Sequence, residues 1–419
     1  MRVLETPGPG RVTGITFVWF LSEPTEEYGM ERAIDRRTVL AAAGVALAGC
    51  AGGDETPTQT PIPDEERDPF STEWPTFARD AANTGYEPGI SGPFTEIGEQ
   101  WRFDTDGSIV AGPAIAGNTL YVGSTDGSVY AVDPYVGAEL WSFETDGPVT
   151  GTPAVVDGTL YVGSSDESLY ALDADDGSEQ WRFDVGGRVG TSPTVVGDTV
   201  YIGSVSSLVL AVDRDSGERE WQFPTGASVL STPAVVDGTV YVGASDQNVY
   251  AFGAASGEER WRFRTGGVVA GGPTVVDGTV YVGSRDANVY ALDAGDGDPI
   301  WRFDAGGQVQ GSPVVRGDTV YAGSGDGRLY AIGIDGEEPE GRWRFRTGAS
   351  VIASPVATGE HVFTASTSGN VFGMLPDDGA TVWRFEAETE FQGAPAVVDE
   401  WLYVGGTDGT LYALGSGSA

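Results

Sequence analysis

The chain has 419 residues, enough to bury a large core, and carries 62 Asp+Glu against 23 Lys+Arg, a formal net charge of −39. There is no lysine, so arginine supplies that basic complement, and nothing resembles the basic patch that a nucleic-acid surface needs to neutralise phosphates. A single cysteine, Cys50, excludes an intrachain disulfide, and a single histidine, His361, excludes a histidine-built zinc or copper centre.

From the N-terminus, residues 1–29 are expected to be excess ahead of the true start or a disordered extension, because Met30 gives a leader of ordinary length. Within 30–50, Arg36-Arg37 precede an apolar run from Val39 to Ala48. The run is too short to span a bilayer comfortably and has the outline of a secretory signal. The paired arginines resemble a twin-arginine export signal, and Leu47-Ala48-Gly49-Cys50 resembles a lipobox. That resemblance implies that Cys50 becomes the lipidated first residue of the mature protein, anchored to the outer face of the cytoplasmic membrane. Residues 51–71 are rich in Thr, Pro, Asp and Glu and predict a disordered, extended tether. Residues 72–98 form a lead-in to the periodic part of the chain and are expected to lie across it as a plug or brace.

Tryptophans then recur at Trp101, Trp141, Trp181, Trp221, Trp261, Trp301, Trp343 and Trp383, 40 residues apart except for one interval of 42. The unit from Ser228 to Arg264 shows the pattern. It predicts an inner strand Ser228–Val236, a hairpin at Asp237-Gly238, a strand Thr239–Gly243, a turn, a strand Asn248–Phe252, a second turn, and an outermost strand Glu259–Phe263. A fixed period in the 40s with four strands per unit is the signature of a β-propeller. Small residues before each Pro, such as Ser231-Thr232 and Gly271-Gly272, suit inner strands converging on an axis. The last unit ends at Leu414 without an outer strand, and the outer strand Gln100–Asp104 precedes any unit. Pairing the two removes both exposed edges. The expected fold is therefore all-β: an eight-bladed β-propeller over 99–415 with four-stranded antiparallel blades, the last closed by the Trp101 strand.

Between the third strand and the Trp, the chain reads ALDADDGSEQW at Ala171–Trp181 and AVDRDSGEREW at Ala211–Trp221. This resembles the Ala-x-Asp-x-x-x-Gly-x-x-x-Trp docking motif of PQQ-like (pyrroloquinoline quinone) propeller repeats, a family that includes quinoprotein alcohol dehydrogenases and the lipoprotein BamB. The segment Trp74–Gly85 is similar to a lead-in common before such repeats. The resemblance implies that Trp141, Trp181, Trp221, Trp261, Trp301 and Trp383 pack between blades against the glycine region of a neighbour, with Gly137, Gly177, Gly217, Gly257, Gly297 and Gly379 in that role. Gly253, Gly333 and Leu375 stand where the motif has Asp.

The same family implies PQQ and Ca²⁺ as cofactors, and the residues argue against both. Many quinoprotein dehydrogenases carry an adjacent cysteine pair; here the lone cysteine is assigned to the anchor, and nearly every repeat has minimal loops. Asp126, Asp166, Asp246, Asp286, Asp326 and Asp408 recur at one place in a turn, where Asp caps its own backbone; a Ca²⁺ ring is the alternative. Asp173–Gly177 lacks the spacing of a Ca²⁺ loop. His361, in a hairpin, reads as an exposed turn residue or part of a small aromatic patch with Trp401. No catalytic set, cofactor or metal site is predicted.

Against a constant framework, the turns beside the Trp strands vary, as binding loops on a rigid scaffold do. Arg188, Arg285, Gln308, Arg328, Glu390 and Gln392 are the candidate binding residues. The acidic, lysine-free composition resembles that of proteins from salt-in halophiles, and an acidic face for a basic partner is the alternative. The reading is a monomeric, non-catalytic cell-surface lipoprotein propeller that binds a protein or peptide. A PQQ- and calcium-dependent quinoprotein dehydrogenase and a small-ligand-binding sensor are the alternatives.

Overall fold

The computed structural model describes residues 70–93, 97–336 and 338–416. The expectations for Arg36, Arg37, Cys50 and most of the tether fall outside these residues.

Alternating Val/Leu and Tyr positions, broken by Gly and Asp-Gly turns, fold each unit into one antiparallel sheet. Blade 1 spans Ala114–Glu144, blade 2 Ala154–Asp184, blade 3 Thr194–Pro224 and blade 4 Ala234–Arg264. Blade 5 spans Thr274–Asp304, blade 6 Val314–Arg346 and blade 7 Val356–Glu386. Blade 8 combines Ala396–Val398, Trp401–Gly405 and Thr410–Ser416 with Ile97–Asp104 from the N-terminal side, and Trp101 pairs with Ala413. The ring therefore closes with eight blades, as the repeat arithmetic predicts. The closing outer strand is longer than expected, beginning at Ile97.

The inner strands are shorter than the sequence suggested. In blade 4 the strand covers only Ala234–Val236, not Ser228–Val236, and Val229 makes an isolated bridge to Ala244. Pro233 has no N–H for a ladder, and the small residues before it descend along the axis instead of pairing within the sheet.

The core lies between blades. Tyr241, Ala251 and Trp261 of blade 4 pack with Val269, Val280, Val282 and Leu292 on the way into and within blade 5. A register shift beside each docking Trp, such as that between Ala251 and Phe252 opposite Trp261, marks a β-bulge. Such bulges re-aim a side chain, and here the Trp ring turns towards the next blade.

The lead-in runs over one end of the ring. Trp74 bridges Ile115 of blade 1, and the Pro75 carbonyl accepts from Val155 of blade 2. The Ala81 and Ala82 carbonyls accept from Val235 and Val275 of blades 4 and 5. Tyr86–Glu87 then adds a parallel fifth strand inside blade 7. His361 sits under this segment. It is buried, and its Nδ1 lies 2.9 Å from the Ser91 carbonyl oxygen. That corrects the expectation of an exposed turn: the lead-in covers the hairpin, and Phe363 lies next to the His361 ring.

Candidate functional site

The docking geometry is uniform and sets the frame of the site. In blade 3, Trp221 Nε1 donates to the Ala254 carbonyl at 2.8 Å, and Tyr201 Oη donates to the same oxygen at 3.3 Å. Gly257, at φ +67°, lies under the Trp221 ring, where a Cβ would come within 2.6 Å of it. Each motif glycine thus meets the Trp of the preceding repeat, not the Trp four residues after it. Trp101 and Trp343 dock on Gly137 and Gly379 in the same way, and Trp141, Trp181 and Trp261 on Gly177, Gly217 and Gly297. Trp301 packs with Tyr281 on the core between blades 5 and 6, and Trp383 is held by the lead-in instead.

The recurring aspartates fasten the turns at the opposite end. Asp246 Oδ1 accepts from Asn248 N at 3.0 Å, while Oδ2 accepts from Tyr250 Oη at 2.6 Å and from Gly226 N of the preceding interblade turn at 3.0 Å. Asp126, Asp166 and Asp286 repeat all three contacts. Burial opposes ionisation of Asp246 and Asp286, but the bonds donated by Tyr and backbone outweigh it and hold both carboxyls below their ordinary value. The same burial, with the carboxylate as acceptor, raises Tyr250 and Tyr290 and pushes Tyr130 up to about 12. In these four aspartates both carboxylate oxygens accept from protein donors; Asp326 Oδ1 has no such donor among the described residues.

The axial channel is built from three consecutive positions of each repeat. The outermost tier stands nine residues after each Trp: Val110, Thr150, Gly190, Leu230, Ala270, Gln310, Ile352 and Gln392. Below it come small residues such as Gly151 and Gly271, then a hydroxyl-rich layer with Thr152, Ser192, Thr232, Ser312 and Ser354. Neighbouring inner strands bond across this layer: Ser192 Oγ accepts from Thr152 N and Ser354 Oγ from Ser312 N, both at 2.9 Å. The lead-in closes the far end. Phe77 lines the cavity, and buried Asn83 donates from Nδ2 to the Pro233 and Pro273 carbonyls at 3.2 and 3.1 Å. The channel's volume is about 160 Å³, and no residue lining it is charged.

The candidate residues separate on this frame. Gln392 lines the channel, and its Nε2 donates to Glu390 Oε2 on the rim at 3.2 Å. Arg188, Arg285, Gln308 and Glu390 are exposed on the turns around the mouth. Arg328 begins a strand of blade 6 at the same end of the ring and is less exposed, because it pairs with Asp326, which also accepts from Tyr330 at 2.7 Å. Of the channel tier, two residues beyond these rim positions, the sequence candidates include only Gln392. The same tryptophan count would have found Val110, Thr150, Leu230 and Ile352.

The family's quinone finds no seat among these residues. Pyrroloquinoline quinone is a planar tricarboxylate, and the channel offers it neither a cation nor an indole floor. Among the described residues, no group of three or more His, Cys, Asp or Glu could hold a metal ion. The residues present do not fit the group.

The family model described as outer membrane protein assembly factor BamB matches the chain over residues 98–244, 168–267, 245–380 and 335–418. Among solved structures, BamB from Moraxella catarrhalis superposes with a TM-score of 0.67 at 20% identity, covering 76% of this chain and 99% of that one. The quinohemoprotein alcohol dehydrogenase of Comamonas testosteroni gives a TM-score of 0.70 at 16% identity over 83% of this chain and 81% of its own. The computationally designed Ika8 protein gives 0.68 at 17% identity over 76% and 99%. No curated protein matches the sequence. At these identities the structural likenesses establish the propeller fold, which one architecture lends to an enzyme, an assembly factor and a designed ring alike.

Proposed function

The chain belongs to the PQQ-like propeller family described by BamB, and on that premise we propose that it is a non-catalytic propeller scaffold that binds a protein or peptide partner through its mouth face. The observation that carries this reading is the segregation of charge around the mouth. From the turn after blade 7 round to blade 2, the rim exposes Glu388, Glu390, Asp408, Asp106, Asp146 and Glu167, and its turns contain no arginine. Over blades 3 to 6 the same face exposes Arg188, Arg264, Arg285 and Arg346, interrupted by Asp304 at the strand end that matches Arg264 and Arg346. In a chain of net charge −39, four exposed arginines on one half of one face form a polarised surface, and such surfaces orient and select partners. Its breadth, across eight blades, suits a macromolecule.

Anchoring completes the proposal. Cys50 carries the lipid after export directed by Arg36 and Arg37, and the segment after it holds the ring at the outer face of the membrane. Mass spectrometry of the mature N-terminus tests the anchor, with Cys50→Ser expected to release the protein. In-membrane crosslinking of the full chain tests the binding. A specific partner is expected, and the double variant Glu388→Arg/Glu390→Arg is expected to lose it. Equal crosslinking by that variant would remove the basis for the rim assignment. Dye reduction after reconstitution with PQQ and Ca²⁺ would favour the dehydrogenase instead.

A further inference from the structure

The channel is chemically unlike everything around it. One residue in five of the whole chain is charged, yet none lines this cavity. Its walls are glycine backbone, hydroxyls and two amides, with Leu230 and Ile352 at the mouth. Gln310, across Ile352 from Gln392, makes no side-chain hydrogen bond among the described residues, and an amide both donates and accepts. Gln310 is half-buried at the open end of the channel, so its amide can exchange water for a group that enters.

Access is from one side only, because Phe77 and Asn83 close the far end. The volume, about 160 Å³, equals that of roughly five waters. That is room for the tip of a turn and too little for a whole ligand of ordinary size. A charged tip would lose its hydration without a counter-charge, so the channel selects a neutral one.

We propose that the channel receives the uncharged amide- or hydroxyl-bearing tip of a turn in the partner protein. Gln310 and Gln392 supply the hydrogen bonds, and the two halves of the rim hold the flanking strands. This rests on the scaffold reading above. An Asn-Gly or Ser-Gly hairpin tip fits, since two-residue turns favour those residues. The polarised rim then asks for basic residues on the strand over blades 7 to 2 and acidic ones on the strand over blades 3 to 6.

The test is a phage-displayed library of disulfide-closed loops selected on the intact protein and counter-selected on Ala270→Trp, which fills the first tier of the channel. The expected winners carry Asn, Gln, Ser, Thr or Gly at the tip, and bind Ala270→Trp at least tenfold more weakly. Gln392→Glu serves as a second variant should the tryptophan disturb folding, with circular dichroism and the melting curve as controls. It is expected to weaken the same loops and to turn a fresh selection towards basic tips. Charged or aromatic tips, or equal binding to both variants, would overturn the proposal while leaving a rim-bound partner standing. Saturable binding of a free small amide or polyol, with no loop enriched, would also overturn it. If the channel variants keep the crosslinked partner and the rim variants lose it, the channel proposal fails alone; if neither set affects any partner, the scaffold reading fails as well.

Discussion

Trp383 Nε1 donates to the Pro93 carbonyl at 2.7 Å, whereas Trp101, Trp141, Trp181, Trp221, Trp261 and Trp343 each donate to the carbonyl 33 residues further on. The difference follows from ring closure. The acceptor normally lies between the third and fourth strands of the next blade, and in blade 8 those strands come from opposite ends of the chain. The lead-in supplies the missing acceptor. Trp383 also leans over its own blade, where Gly373 replaces the usual Ala and a Cβ would come within 2.4 Å of the indole.

A chain starting at residue 97 should therefore be destabilised at the seam between blades 7 and 8. It loses the Pro93 bond, the buried Trp74 and the cover over His361. The indole alone contributes about 2–3 kcal/mol, so a cost of about 3 kcal/mol or more is expected. Gly92→Ala is the milder probe. Gly92 has φ +80° and a Cβ there would lie 2.6 Å from the Phe363 ring, which should cost about 1–2 kcal/mol. Urea midpoints compared with a chain starting at residue 70 decide both, and unchanged midpoints would refute the seam role.

The shared acceptor makes the two donors unequal. Trp221→Ala removes a buried ring and should cost about 3–5 kcal/mol. Tyr201→Phe removes only an Oη bonded to Ala254, whose carbonyl keeps Trp221 as a donor; about 1 kcal/mol is expected. A Tyr201→Phe loss as large as that of Trp221→Ala, in the same chemical-denaturation assay, would mean that the hydroxyl and not the indole holds the blades.

Stability should be flat from about pH 5 to 9 and fall on both sides, with opposite causes. Asp246 and Asp286 sit below their ordinary value, so their stabilisation is present above the unfolded value near 4 and is lost as pH falls through the folded one. Tyr130, Tyr250 and Tyr290 are raised. Their stabilisation is present below about 10 and is lost as pH rises through the folded value, about 12 for Tyr130. Melting temperature against pH should show both limbs. Asp246→Asn should shrink the acid limb, and an acid limb unchanged by it would place the titration elsewhere.

The fold was legible because a ring repeats its own instructions. The Trp count, the Asp-Gly hairpins and the unpaired strand at Trp101 each demand a partner that only closure provides. The site was less so. Arg328 stands at the rim end as its spacing suggests, but its ion pair with Asp326, which the repeat pattern does not show, ties up its charge. His361 looked exposed because its counterparts occupy a hairpin; what buries it is the lead-in, which occurs once and has no repeat to be compared with. Of the channel tier only Gln392 stood out, by its polarity; Val110, Leu230 and Ile352 read individually as ordinary strand residues, and only convergence on an axis gives them a common address.

Salt should raise stability steeply at first and then level off. Exposed acids crowd the outer strands, as at Glu179, Glu218, Glu220 and Glu258, and few arginines answer them: Arg262 meets Glu259 at 2.7 Å and Arg342 meets Asp318 at 2.6 Å. Such surface pairs contribute little, so a net charge of −39 leaves repulsion that only counter-ions relieve. The screening length falls from about 10 Å at 0.1 M salt to about 3 Å at 1 M, and most of the gain in melting temperature should come within that range. An equally osmotic sucrose series separates screening from general exclusion of solute from the surface. A melting temperature indifferent to NaCl, or one raised equally by sucrose, would mean that the acidic surface is no burden to the fold, and that its charge is arranged for recognition alone.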